Sequence, residues 1–426
     1  MINIPVIIAR LKEGKGNYSL PLWSDRLSKM SFYAALVMAV SFPFSFALFN
    51  IGIVLLMVSV VLRRILRRDF TIFDVCVDAT VALFFIVSLI SVFKSQYLGM
   101  SLQGVHKLFR YLLLFLVSRE VITDKKSWRY VMLALMAGAL IASLDGLLQY
   151  LIGWDPLRGH TPHVGFNNLI RITSSFSNSN AFVIYLCVLL PLVFSIARYG
   201  GKDWRMSWGL VLLMMGCVGL TYSRTALLGL GAAVFLFMVL KRDLKLLIAL
   251  GLVCVACFLL LPSDIWGWLQ GLHSLKGFLV DESRSHYHTT AWNMIRSSPW
   301  FGVGLNTFDL NYNVFKAVGD PTTRWSAHQA YLQIAAETGV VGLISFLMVL
   351  MGMLCLWYRA YRRLDDRLLK ANLLGFLGGI LAFLVAGFFE SNLWQPKQTY
   401  FFWFFCGLMC NVANLAMKKH AGKSYD

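Results

Sequence analysis

Apolar residues run along this chain in long uninterrupted blocks, divided by short polar clusters. The blocks are too long for the alternation of a half-buried strand and too uniform for the one-sided stripe of a soluble helix. They fall at 31–46, 47–62, 72–93, 108–119, 130–151, 180–197, 206–221, 224–240, 244–261, 339–357, 371–390 and 398–417. A helix of roughly 20 apolar residues crosses the ~30 Å hydrocarbon layer. Lipid offers no water to backbone groups, so spans of this length are helices. The pattern predicts an all-α, polytopic transmembrane helix bundle of about 12 spans.

Composition agrees: 58% hydrophobic residues against 14% charged, with 32 Phe and 13 Trp, exceeds what a soluble chain of 426 residues encloses. The formal net charge of +18 raises the question of nucleic acid, and the placement of the cations answers it. With the N-terminus cytoplasmic, 27 of the 39 Lys and Arg fall in inside segments, including the run RRILRR at 63–68. That is the positive-inside signature, with both termini cytoplasmic, and it leaves nucleic acid no part. The expected organisation is a basic N-terminal segment 1–30, spans 31–261 with an outer loop 152–179, an outer segment 262–338, spans 339–417 and a tail 418–426. Residues 1–30 lack a small-residue cleavage pattern, so no cleavable signal peptide is expected there.

Connections as long as 152–179 and 262–338 are usually functional in a compact protein. Within the second, DIWGWLQGLHSLKGFL (264–279) repeats apolar residues at helical spacing and is expected to lie flat at the outer interface. Cys254 and Cys257 have the CxxC spacing inside LVCVACFLL without other ligands nearby, and read as lipid-facing filler. His286 and His288 in SRSHYHTT lack a third ligand and read as solvated loop residues. The outer segments hold no Asp-x-Asp cluster to hold Mg²⁺, and Asp281 and Glu282 read as neighbours of Arg284, so no metal and no cofactor is expected.

In TTRWSAHQAYLQIAAETGVVGLISF (322–346), Thr338–Trp357 suffices to cross the bilayer, which leaves residues 328–337 over. These should form a short helix on the outer surface, entering the span through Gly339, with His328 in its first turn. There His328 either caps the helix or lines a cavity rim. GLTYSRTALLG (219–229) puts Arg224 at an outer turn, where an arginine at the edge of hydrocarbon needs an anionic partner. DESRSHYHTTAWNMIRSSPWFGVGLNTF (281–308) carries Arg284 into a helix that ends at Pro299, and RITSSFSNSNAFVIYLCVLLP (171–191) sets Arg171, Asn178 and Asn180 before a span.

Taken in this order, TYSRTALLG, SR…W…SPWFGVGLNTF and AHQAYLQ…ETGVVGL resemble the O-antigen ligase and O-antigen polymerase family of bacterial envelope glycosyltransferases. The resemblance covers residues 171 to 345; earlier residues match only as a hydrophobic pattern. It implies that Arg224 and Arg284 hold the pyrophosphate of an undecaprenyl-linked glycan and that His328 serves the acceptor, with Arg171, Asn178, Asn180, Tyr222 and Gln329 as further substrate contacts. The family often has Asn where Gln329 stands. It implies a multi-pass inner-membrane protein with a periplasmic site, moving the glycan with inversion and without metal. The acceptor is lipid A–core for a ligase, the favoured reading, or another lipid-linked repeat for a polymerase. The remaining partners are membrane lipids.

The chemistry fits, because guanidinium forks bind phosphate oxygens bidentately and an imidazole can take up a hydroxyl proton at neutral pH. A membrane solute transporter is the reading from another class. Asp74, Asp78, Asp145 and Glu390 lie in or near apolar blocks, where carboxylates serve ion coupling, yet they are scattered and no repeated broken helices accompany them.

Overall fold

A computed structural model of the chain describes residues 19–69, 74–164, 170–243, 284–317, 319–320 and 326–420. Eleven of the predicted spans fall on described residues and are helical: α1 Ser19–Ser41, α2 Phe46–Arg67, α3 Val75–Val92, α4 Leu98–Ser118, α5 Lys125–Ile152, α6 Ser179–Tyr199, α7 Ser207–Leu220 and α8 Arg224–Lys241, then α11 Ala330–Arg363, α12 Arg367–Ala386 and α13 Pro396–His420. Between them come α9 Ser285–Ser297, α10 Phe308–Phe315 and a two-stranded antiparallel ribbon, β1 His163–Val164 and β2 Ile170–Arg171, in which His163 pairs with Arg171. The predicted span 244–261, the interfacial helix at 264–279, Cys254, Cys257, Asp281 and Glu282 lie outside the described residues.

Eight of the helices, α2, α3, α5, α6, α8, α11, α12 and α13, are long and apolar enough to cross a bilayer, and the chain is a multi-pass, all-α membrane protein. The helix α7, with 14 residues, is the shortest of the bundle and reaches only about 21 Å at 1.5 Å per residue. Two starts differ clearly from the sequence reading: α1 begins at Ser19, twelve residues before its apolar block and inside the segment 1–30, and α4 begins at Leu98, ten residues before the apolar block that announced it. Its first turns are polar because they face protein, with buried Ser101 donating to Ser95 and Gly104 pressed against Leu305 and Asn306.

Helices α6 and α13 are the most enclosed. On α12, Gly375 and Gly379 form a GxxxG face against α6, where a methyl group at Gly379 would lie 2.1 Å from the Val188 carbonyl oxygen. Small residues are what let helix backbones close on one another in lipid. Phe42, Tyr185 and Phe401 stack beside this contact.

The bundle has two unlike ends. At one, ion pairs tie helix termini together: Arg63 and Arg64 to Glu120, Arg119 to Asp78, Arg359 to Asp74, Lys125 to Asp366 and Arg198 to Asp243. Much of the basic charge that the sequence assigns to topology therefore also joins neighbouring helices. The other end carries α9, α10, the ribbon and the turns that follow α7 and α12.

At that second end α11 departs from expectation. Its first turns are buried, with Gln333, Glu337 and Thr338 each at most 3% exposed, so residues 330–338 do not lie on the outer surface. The helix does break at Gly339, with φ 74° and ψ 179°, and the loop 298–308 folds into the break. Val303 and Gly304 donate to the carbonyls of Ala336 and Glu337, while Val340 and Val341 donate to Pro299 and Trp300. The Glu337 carboxylate accepts from the backbone of Asn306 at 2.6 Å, from Trp394 Nε1 at 2.9 Å and from Gln333 Nε2 at 3.3 Å. Backbone groups released by the kink are thus satisfied by the loop, as buried groups must be.

This interlock predicts that Gly339→Ala is severely destabilising. Its Cβ would fall 2.1 Å from the Trp300 carbonyl oxygen at a positive φ, a cost on the order of 3 kcal/mol or more. Heating the detergent-solubilised protein and measuring the fraction that stays monodisperse checks this, with Gly231→Ala, which meets open space on α8, expected to match the parent.

Candidate functional site

Glu390 lies in the turn after α12, and side chains from four separate parts of the chain meet there. Arg284, which precedes α9, donates through Nη1 to the Phe389 carbonyl, and its Nη2 stands 3.4 Å from Glu390 Oε1. His328 Nδ1 is 3.8 Å from Glu390 Oε2, an ion-pair distance when the ring is protonated. Asn180 Nδ2 donates to Glu390 Oε1 at 2.8 Å, and Asn180 Oδ1 accepts from Arg171 Nη2 at 3.1 Å. Arg171 Nε donates to the carbonyl of Thr221 at 2.7 Å, so the cluster continues into the turn that bears Tyr222 and Arg224. Burial pushes the Arg171 guanidinium below its usual range and the Glu390 carboxylate opposes that shift, though an arginine stays protonated throughout.

The geometry brings together Arg171, Asn180, Arg284 and His328, and it sets Arg224 three residues from the carbonyl that Arg171 grips. Among the described residues, the guanidiniums of Arg171, Arg224 and Arg284 gather at the end of the bundle that holds the Glu390 carboxylate. Tyr222 and His328 both hold positive φ, 48° and 49°. Such backbones cost on the order of 1 kcal/mol or more outside glycine and gather at functional sites. The rings of Tyr287 and His328 lie 5.2 Å apart, so α9 also walls this end.

Two predicted contacts are engaged differently. Asn178 is exposed and its side chain caps α6, accepting from the backbone of Ala181 at 2.7 Å. Gln329 caps α11, accepting from Leu332 at 2.6 Å. The expectation that His328 stands in the first helical turn, either as its cap or at a cavity rim, is therefore corrected in its placement: His328 precedes the cap in a left-handed conformation, and Gln329 does the capping. His286 and His288 are likewise not loop residues but lie on α9.

Glu390 is the residue that sequence reasoning assigned elsewhere, to the scattered carboxylates of a transporter. The others in that set have separate placements. Asp145 accepts from Ser174 Oγ at 2.7 Å and from the backbone of Leu157 at 3.2 Å, Asp74 caps α3, and Asp78 pairs with Arg119 at the opposite end. A signal for Glu390 was present in GFFESNLW: a carboxylate at the end of an apolar block, at the same end of the bundle as three arginines outside the positive-inside pattern.

The architecture and this cluster define a polytopic helical membrane protein with arginines and a histidine gathered about a carboxylate at one end of its bundle. Residues 209–347 match the family model described as O-Antigen ligase. The match includes Arg224, Arg284 and His328, while Arg171, Asn180 and Glu390 fall outside it. Over 257 residues the chain is 27% identical to the teichuronic acid biosynthesis protein TuaE of Bacillus subtilis strain 168. The alignment covers 57% of this chain and 52% of that protein, so it spans about half the length of the relative.

If Gln329 acts as a helix cap, Gln329→Asn should preserve thermal stability, since Asn is among the best caps, whereas Gln329→Ala should cost about 1 kcal/mol. Unfolding of the two variants in the same detergent distinguishes them. Equal stability of the Ala variant and the parent would contradict the capping role.

Proposed function

We propose that the protein transfers a glycan from undecaprenyl pyrophosphate to a hydroxyl of lipid A–core at the periplasmic face of the inner membrane, as an O-antigen ligase. The observation that carries this reading is the meeting of Asn180, Arg284 and His328 on Glu390, with Arg171 linking Asn180 to the turn before Arg224. Arg224 and Arg284 hold the donor pyrophosphate and stabilise the charge that develops as it leaves, a task for which fixed guanidinium forks suit. Arg171 is fixed by the Thr221 carbonyl and by Asn180, and supports the turn beneath the phosphates. With Glu390 on its Nδ1 side, His328 favours the tautomer that carries its proton there and takes the acceptor proton at Nε2. Attack by the acceptor oxygen on the anomeric carbon, as the pyrophosphate departs from the opposite face, inverts that centre. In this reading the ion-paired end of the bundle is cytoplasmic, as the positive-inside pattern supports, and residues 262–338 form the periplasmic segment.

Polymerisation of lipid-linked repeats is the second reading. The similarity to a teichuronic acid biosynthesis protein favours it, because that name concerns the making of a polysaccharide. Expression in a host that lacks its own ligase and polymerase separates the two. A core that gains a single repeat means ligase, and long lipid-linked polymer above an unmodified core means polymerase.

In the transfer assay, Arg224→Lys and Arg284→Lys keep the charge and lose the fork, so each should lower the rate on the order of 10²-fold while the protein still inserts. Full activity in both would remove the pyrophosphate assignment. Purified enzyme should keep its rate in a metal chelator, and inactivation reversed by Mg²⁺ would overturn the metal-independent reading.

A further inference from the structure

The ion-paired end holds a feature that glycan transfer does not use. Helices α2 and α3 both pack on α4 and leave between them a lateral groove of about 410 Å³. Val61 on α2, Ala82 and Phe85 on α3 and Phe109 and Leu113 on α4 form its apolar walls. Along α4 the lining runs from Phe109 to Val117, about 12 Å at 1.5 Å per residue. That is most of the ~15 Å depth of one hydrocarbon leaflet.

The mouth of the groove is charged with both signs. Arg64 pairs with Glu120 at 2.6 Å and Arg119 with Asp78 at 2.5 Å. Accessibility divides these four unequally: the side chains of Arg64 and Asp78 remain 27% and 21% exposed, whereas Glu120 and Arg119 are 10% and 3% exposed. Among the described lining residues, the charged groups most exposed at the mouth are therefore the Arg64 guanidinium and the Asp78 carboxylate, above an apolar slot of leaflet depth.

We propose that this groove binds a zwitterionic phospholipid whose headgroup carries a primary ammonium. Its phosphate sits on Arg64, its ammonium donates to Asp78, and one acyl chain fills the slot between α2 and α3. A quaternary ammonium has no N–H to donate to the carboxylate, and an anionic headgroup leaves Asp78 facing negative charge, so both fit less well. The lipid would complete the contact between α2 and α3, at the end of the bundle opposite His328.

The full-length protein, washed in detergent and examined by native mass spectrometry, should retain about one lipid per chain when offered phosphatidylethanolamine, and lose most of it when phosphatidylcholine or phosphatidylglycerol is supplied instead. Ala82 is an exposed wall residue of the groove, so Ala82→Trp fills the slot and should abolish retention. Leu83→Trp, at an exposed position of α3 outside the lining, should leave it intact. Retention by Ala82→Trp equal to the parent, or preference for the choline or glycerol headgroup, overturns the proposal. Photoactivatable phosphatidylethanolamine offered to the parent protein reads the same site without a variant. Labelling on Phe85 or Leu113 supports it and labelling confined to other surfaces overturns it.

Discussion

A carboxylate at the edge of a membrane bundle is expensive unless positive charge and hydrogen-bond donors surround it. Glu390 meets that condition with Arg284, with the Asn180 amide and with His328 at ion-pair distance. These partners come from sequence positions 106, 210 and 62 residues away, on separate elements that must assemble before the carboxylate is satisfied. The charge requirement of one side chain thus sets the relative positions of the guanidinium and the imidazole to which we assign the transfer reaction.

The scaffold that holds them is the interlock at Gly339. An uninterrupted α11 would leave no gap for the loop 298–308, and Gln329, His328 and the end of α9 would have no fixed relation to the spans. Breaking the helix there costs backbone hydrogen bonds, which Val303, Gly304, Val340 and Val341 restore across the break. The two motifs WFGVGLNTF and ETGVVGL are accordingly a single structural unit whose glycines admit backbone against backbone. In the proposed reaction their part is to position His328, with no reacting atom of their own.

How much of this the sequence disclosed depends on the range of the cause. Eight spans were legible because lipid acts on every residue of a block at once, and so were the separation of the cations between two ends of the bundle and the break at Gly339. The start of α4 was hidden, since its first turns pack on the 304–306 loop and need no apolar residues. Residues 330–338 were misjudged as a surface helix because nothing local shows that a distant loop covers them. Glu390 was visible as an unusual carboxylate but not as the partner of His328, for contacts between residues 62 apart leave no trace in spacing. The capping role was given to the wrong neighbour because only the left-handed backbone at His328 shifts the cap to Gln329.

In the proposed reaction Glu390 and His328 act as one unit in proton transfer. A double-mutant cycle on the purified enzyme, measuring transfer with Glu390→Gln, His328→Gln and both together, tests it most directly. If the carboxylate works through the imidazole, His328→Gln costs on the order of 10²–10⁴ in rate, Glu390→Gln costs less, and the double variant is no slower than His328→Gln alone. Losses that multiply in the double variant, or a His328→Gln enzyme that turns over at the parent rate, would contradict the account.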